Sequence, residues 1–372
     1  MKPAGRSPLL ELLAAPGRCR DFGEADWDLV IRQGRAAGLL GTLYHLLGHA
    51  ALLDAVPERP LIQLRANHAI AERHRDLTYW EVCELHEVLN RIGVPVVILK
   101  GAAYVMARLD AAKGRLFGDV DILVPRGALR DVERALARAG WVQESRNAYD
   151  DRYYRQWMHE LPPRRHLQRG SVVDVHHNLL PLTARNKPDV RALWQDAVPL
   201  AGFEDLYVLS PADMILHSAA HLFLNGEFDR GLRDLYDFVR LAREYGSTPD
   251  FHATLEKRAE ALDLRQPLRY ATRYAHLLLQ AKLPQTDAGS GLHMSFRDAV
   301  FTRALQPAHP SAQDAWSALA LFFLYVRGHY LRMPLHLLLP HLLYKATLAK
   351  HQEEAEFNEN QEAVERFREF LR

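Results

Sequence analysis

Two short β-branched segments constrain the fold most: one ends in a turn, the other carries two acids. Val96-Val97-Ile98-Leu99 is an apolar run that stops at Lys100-Gly101, where small residues begin a helix. Asp119-Val120-Asp121-Ile122-Leu123-Val124 begins by alternating. Residues two apart in a strand point to the same side, so Asp119 and Asp121 share one face and Val120 and Ile122 the other. Neighbouring carboxylates repel each other and cost desolvation energy, which makes them a poor structural choice in an apolar strand. A divalent cation relieves that repulsion. Mg²⁺ takes oxygen ligands, commonly one or two carboxylates together with a substrate phosphate.

A third acid follows in Ser171-Val172-Val173-Asp174-Val175-His176-His177, where parity puts Val173 and Val175 on the face opposite Asp174. A strand–glycine–helix turn followed by three acids on adjacent strands can hold two metal ions and a triphosphate. The third acid then helps bind the metal that activates an attacking hydroxyl. Lys100 and Gly101 read as phosphate binders at a helix N-terminus, or as a plain strand-to-helix turn. Arg115 reads as a triphosphate ligand, a partner of one of the acids, or an unpaired surface residue, and His176 as an orienting or a core histidine.

The spaced series Ile98-Leu99-Lys100-Gly101, Arg115, Asp119-Val120-Asp121-Ile122-Leu123-Val124 and Val173-Asp174-Val175-His176 resembles an uncharacterised bacterial nucleotidyltransferase family of the polymerase-β-like superfamily. The motifs span roughly residues 90–180, and a looser likeness extends over the helical flanks from Trp27 to Pro284. The resemblance implies an α+β fold, a small mixed β-sheet core between N-terminal and C-terminal α-helical regions. It implies Asp119, Asp121 and Asp174 as catalytic and metal-binding residues, and Lys100, Gly101 and Arg115 as nucleotide-binding ones. Mg²⁺ or Mn²⁺ would be the cofactor and an NTP such as ATP the substrate. The wider superfamily has a Gly-Ser turn where Lys100-Gly101-Ala102 stands here, and the family resembled shares that change.

Three regions are expected: N-terminal helices over 1–90, the catalytic core over 91–200 and C-terminal helices over 201–372. A long amphipathic pattern runs from Leu61 to Leu89, and Pro125 to Ala139 reads as a helix before a strand at Trp141-Val142-Gln143. Between Arg146 and Arg169 bases interleave with aromatics; the stretch reads as a polyanion surface or as a solvated excursion whose charge Asp150, Asp151 and Glu160 dilute. Ser210-Pro211-Ala212-Asp213 is a helix start. Asp213, His217 and His221 then form one helical stripe, and Arg233 and Asp237 on the next helix read as a salt bridge. The tail from His351 to Arg372 reads as a peripheral helix.

Acids and bases number 46 and 47, so no global field draws a polyanion, which speaks against long nucleic acids. Two cysteines fit a reducing compartment, and Glu11 breaks the only N-terminal apolar stretch that could serve as a signal; cytoplasm is the expectation. The apolar region 316–344 is interrupted by Arg327, His329, Arg332, Pro334 and Pro340 before about 20 apolar residues accumulate. Buried helix pairs are expected there, with weak membrane-surface contact as the other option.

The leading expectation is an enzyme moving a nucleoside monophosphate from an NTP to a hydroxyl of an unidentified acceptor, a small molecule or a protein. One rival is a metal-dependent phosphohydrolase built on Asp213, His217, His221, Asp234 and Asp237. The other is a non-catalytic interaction protein with the same fold.

Overall fold

The computed structural model describes residues 7–143, 158–246, 249–283 and 295–334. Four helices precede the first strand: α1 (Pro8–Ala14), α2 (Glu24–Ala37), α3 (Leu40–His49) and α4 (Glu58–Asn90). The longest, α4, has 33 residues and spans about 50 Å. Leu64, Ala71, Thr78 and Leu85 recur every seventh residue, with Val82 and Leu89 beside them, and all are buried. That spacing keeps a narrow seam against α3 and the core while Ile62, Ile70, Leu77 and Trp80 stay exposed.

The central part reads β1 (Val96–Ile98), α5 (Lys100–Met106), β2 (Asp119–Leu123), α6 (Leu129–Arg138), β3 (Trp141–Gln143), β4 (Arg164–His166), β5 (Val172–His176), α7 (Val190–Gln195), β6 (Val198–Pro199) and β7 (Leu206–Val208). The strands form one seven-stranded sheet in the order β3-β4-β5-β2-β1-β7-β6. β1 is antiparallel to β2 and parallel to β7, and β2 is parallel to β5. Strands in the middle of such a sheet are covered on both faces, which is why Val96, Val97 and Ile98 form an unbroken apolar run. With 61% helix among the described residues around a single mixed sheet, the protein is α+β. The sheet draws its last strand, β7, from 206–208, beyond the stretch 91–200 expected to supply the core.

Among the described residues six helices follow: α8 (Pro211–Leu224), α9 (Gly231–Tyr245), α10 (Pro249–Ala261), α11 (Arg265–Leu279), α12 (Phe296–Ala304) and α13 (Ser317–Arg332). The Ser210 hydroxyl accepts from the Asp213 N–H at 3.2 Å and Pro211 takes the first helical position, so α8 starts where its sequence says. Phe223, Tyr270, Tyr274 and Phe301 pack ring on ring at 5.0–5.8 Å and join α8, α11 and α12. Where α13 crosses the turn after α8, Gly226 and Gly328 meet so closely that a Cβ on either would strike the other's backbone. One apolar core runs from Leu9 through the sheet to Leu324, so the helical flanks hold the sheet rather than hang from it.

The expectation of buried helix pairs over 316–344 is met on one side of α13 only, among the described residues. Ala320, Leu324 and His329 are buried, while Trp316, Leu319, Phe322 and Phe323 are exposed. Residues 335–344 and the tail 351–372 lie outside the described residues. No helix of the described residues is long and apolar enough to cross a membrane.

Candidate active site

Parallel pairing of β2 with β5 decides which acids meet. Its register sets Asp121 beside Asp174 and Asp119 beside Val172, and alternation turns all three carboxylates to one face. Oxygens of Asp119, Asp121 and Asp174 lie within 4.8 Å of one another. Asp121 is 2% exposed, and the Leu99 N–H donates to its backbone oxygen, so β1 hands the chain into α5 directly over it. Lys100 Nζ donates to Asp121 Oδ1 at 2.6 Å and His176 Nε2 to the same oxygen at 2.9 Å. Asp174 Oδ1 is buried and has no hydrogen-bond partner among the described residues.

The three acids titrate apart. Burial opposes the charge of Asp121, yet the Lys100 ammonium and the His176 hydrogen bond outweigh it and hold the carboxyl well below the usual range. The Asp121 charge, with burial second, pushes Asp119 up. Burial first, then the charges of Asp121 and Glu160, push Asp174 up to about 7. A set of hard oxygen donors with one orphaned oxygen and mutual repulsion fits Mg²⁺ or Mn²⁺, which would satisfy both defects at once.

Lys100 takes a backbone φ of +47°, in the left-handed region where a side chain costs roughly 1–2 kcal/mol. That conformation is kept where Lys100 meets Asp121, and strain held at a cluster of charges is a mark of function. Gly101 has a different reason to be glycine. A Cβ there would run into the Arg115 guanidinium, which passes over the turn, lies 5.1 Å from the Phe117 ring and donates from Nε to Asp237 Oδ2 at 2.7 Å. Arg115 is therefore an inner ion pair with an acid of α9, a partner the sequence did not suggest. A cavity of about 110 Å³ opens over these groups, lined among others by Lys100, Arg115, Asp119, Asp121, Ser218, His221, Arg233 and Asp234.

The helical acids and histidines fall out differently from their spacing. Asp237 is 3% exposed and turned inward to Arg115, so the expected Arg233–Asp237 bridge does not form; Arg233 donates to Asp234 at 2.7 and 2.9 Å. Asp213 is fully buried and held by Arg258 through both oxygens, at 2.6 and 2.8 Å. His217 is buried and only His221 of that stripe reaches the cavity. Among the described residues, the ligand groups that close within 4.8 Å are Asp119–Asp121–Asp174 and His159–Glu160–His176, and neither draws on the stripe. The helix pair thus offers the phosphohydrolase reading no assembled metal centre among them.

Three side chains near the acids had no reading as site residues. Glu160, counted as a diluting charge, pairs in the sheet opposite His176 and places Oε2 3.3 Å from its Nδ1. His159 stacks obliquely on His176, and Ser218 lines the cavity beside His221. Position 218 falls one residue after His217 and three before His221, and no local pattern marks it. Of the basic and aromatic stretch, 146–157 lie outside the described residues. Arg164 pairs with Glu133, and Arg169 sits between the Trp80 and Trp141 rings with both ends on Glu81 at 2.9 and 3.1 Å. These two arginines are engaged inside the protein rather than presented to a polyanion. A second cavity, of about 410 Å³, lies between Trp80, Phe117 and Arg169 and shares Asp119 with the first.

A family model described as "Uncharacterised nucleotidyltransferase" matches residues 23–280, from the start of α2 to the end of α11. No curated protein and no solved structure matches the chain.

Proposed function

Because the chain belongs to the uncharacterised nucleotidyltransferase family, we propose that it transfers a nucleoside monophosphate from an NTP to an acceptor hydroxyl and releases pyrophosphate. The observation that carries this reading is the convergence of Asp119, Asp121 and Asp174 around an unpartnered Asp174 Oδ1. Those three carboxylates would hold Mg²⁺ or Mn²⁺, which when bound offsets charge on the phosphates and makes the acceptor hydroxyl easier to deprotonate. The protein's own groups do the rest. Lys100 Nζ, 2.6 Å from Asp121, keeps that carboxylate ionised and adds positive charge where the phosphates would lie. Arg115, Arg233 and His221 line the same cavity and orient the leaving pyrophosphate. Asp174 would complete the metal set with its unpartnered Oδ1, so that the bound cation favours the deprotonated hydroxyl.

The larger cavity beside Asp119 is the room for the acceptor. Its cation, Arg169, is engaged by Glu81, and Trp80 and Phe117 supply apolar surface, which suits a small molecule or a protein side chain better than a nucleic-acid backbone. An NTP substrate and two free cysteines agree with a cytoplasmic setting.

Calorimetry and thermal shift with each of the four NTPs and Mg²⁺ test the reading. Wild type should bind at least one NTP only when the cation is present, and Asp119→Ala/Asp121→Ala should not. Equal binding by both proteins, or none by wild type, overturns it.

A further inference from the structure

A second group of ligands lies behind the acids. Met158 to Leu161 is stitched to β5: the His177 N–H donates to the His159 oxygen at 2.7 Å and the Leu161 N–H to the Val175 oxygen at 2.8 Å. This pairing brings His159 and Glu160 against His176 on the side away from Asp121. His159 is 8% exposed and His176 is 2% exposed. His176 Nε2 meets Asp121 Oδ1 at 2.9 Å, and an ionised carboxylate can only accept, so the ring hydrogen is on Nε2. Nδ1, on the other side of the ring, is buried without a hydrogen-bond partner among the described residues. It faces Glu160 Oε2 at 3.3 Å, and His159 Nε2 faces the same oxygen at 3.9 Å. One ligand atom from each of His159, Glu160 and His176 lies within 4.8 Å of the other two, close enough to share one cation.

We propose that His159 Nε2, Glu160 Oε2 and His176 Nδ1 form a site for a transition-metal dication, separate from the carboxylate cluster. The spacing suits it: ligands arranged tetrahedrally about 2.0–2.1 Å from a metal stand roughly 3.3 Å apart. Two imidazoles and one carboxylate select Zn²⁺, Mn²⁺ or Fe²⁺ over Mg²⁺, which prefers oxygen alone. A metal-bound histidine ordinarily gives its other N–H to a carboxylate, and His176 does so to Asp121. Access is provided, because Glu160 lines an open cavity of about 510 Å³ together with Arg126, Arg130 and His177. The His176 ring joins the two sites. A metal on Nδ1 fixes the tautomer and orientation of the ring that donates to Asp121, so occupancy would position a residue of the carboxylate cluster.

The test is metal retention. Purified protein is stripped with a chelator, loaded with one equivalent of Zn²⁺ or Mn²⁺ under excess Mg²⁺, desalted and assayed by mass spectrometry for metal. Wild type and Asp119→Ala/Asp174→Ala should each keep about one equivalent, whereas His159→Ala and Glu160→Gln should keep less than about a tenth. Retention by both His159→Ala and Glu160→Gln overturns the proposal, as does loss in the aspartate double variant, which would put the metal on the acids. No retention by wild type also overturns it and favours a doubly protonated His176 bridging Asp121 and Glu160. Should either single variant fail to fold, Co²⁺ loading of the unmodified protein decides: a visible absorption band of a four-coordinate centre is expected, and its absence is fatal. None of these readouts involves a nucleotide.

Discussion

Buried aspartates meet two different environments in this molecule. On the helical flanks each is matched by one arginine: Asp213 by Arg258 at 2.6 and 2.8 Å, and Asp298 by Arg273 at 2.7 and 2.6 Å with Tyr274 and Ser295 adding hydrogen bonds. Both are 0% exposed, and each has an arginine on both of its oxygens. On the sheet, three aspartates share Lys100 and His176, both of which fall on a single oxygen of Asp121. Asp174 is left with an orphaned oxygen and a carboxyl pushed up to about 7. The same side chain thus serves as a matched structural pair in one place and as an unmet demand for positive charge in the other. Compensation holds the helices together, and the shortfall marks the site.

Substitutions can sharpen that contrast. The largest effect is expected for Asp121→Ala, which should cut nucleotidyl transfer by roughly 10³-fold or more while far-ultraviolet circular dichroism stays that of wild type. An Asp121→Ala protein of full activity breaks the assignment. Asp213→Ala should do the reverse. It takes from Arg258 its buried partner, leaving it Asp196 and the Ala192 oxygen, and should cost about 1.5–3 kcal/mol in urea unfolding, with turnover per folded molecule unchanged. A variant as stable as wild type would show that the pair is not structural.

The two settings also differ in their response to pH. Asp174 titrates at about 7 in the folded chain against about 3.9 in an unfolded one. Between those values the folded state holds a proton that the unfolded state has released, so this group's contribution to stability falls as pH rises. Asp110 runs the other way. The hydrogen bond from His45 and the Arg240 charge, against burial, hold its carboxyl well below its usual range; its contribution is complete above the unfolded value and is lost as pH falls below it. In chelator-treated protein, the Tm of wild type minus that of Asp174→Asn should decline between about pH 5 and about pH 7. A flat or rising difference contradicts the environment described for Asp174. The smallest effect is expected at the solvated pair of Asp131 and Arg134, where Asp131→Ala should change stability by less than about 0.5 kcal/mol.

Local periodicity made much of this legible. The parity of Asp119, Asp121 and Asp174 within their strands follows from a repeat of two that tertiary packing does not alter. The seven-residue seam of α4 and the Ser210-Pro211 start of α8 are equally local. Other residues resisted reading because their partners are distant in sequence. Arg115 finds Asp237, 122 positions on, and Gly101 is glycine to let that guanidinium pass. Arg258 claims Asp213 from 45 positions away and takes it out of the stripe its spacing suggested. Glu160 and His159 belong to the site only because Met158 to Leu161 pairs with β5, a contact that no helical or strand period announces.

The sequence by itself determined the acid-bearing strands, the faces their acids take and the strand-to-helix turn, because each depends on backbone geometry repeating over a few residues. The tertiary structure alone decided the parallel register that sets Asp121 beside Asp174, and it alone sorted the buried acids into those given an arginine and those left short. Register and ion pairing are choices between segments far apart in the chain. They are settled by which contacts bury apolar surface and satisfy charge together, and no local pattern encodes that competition.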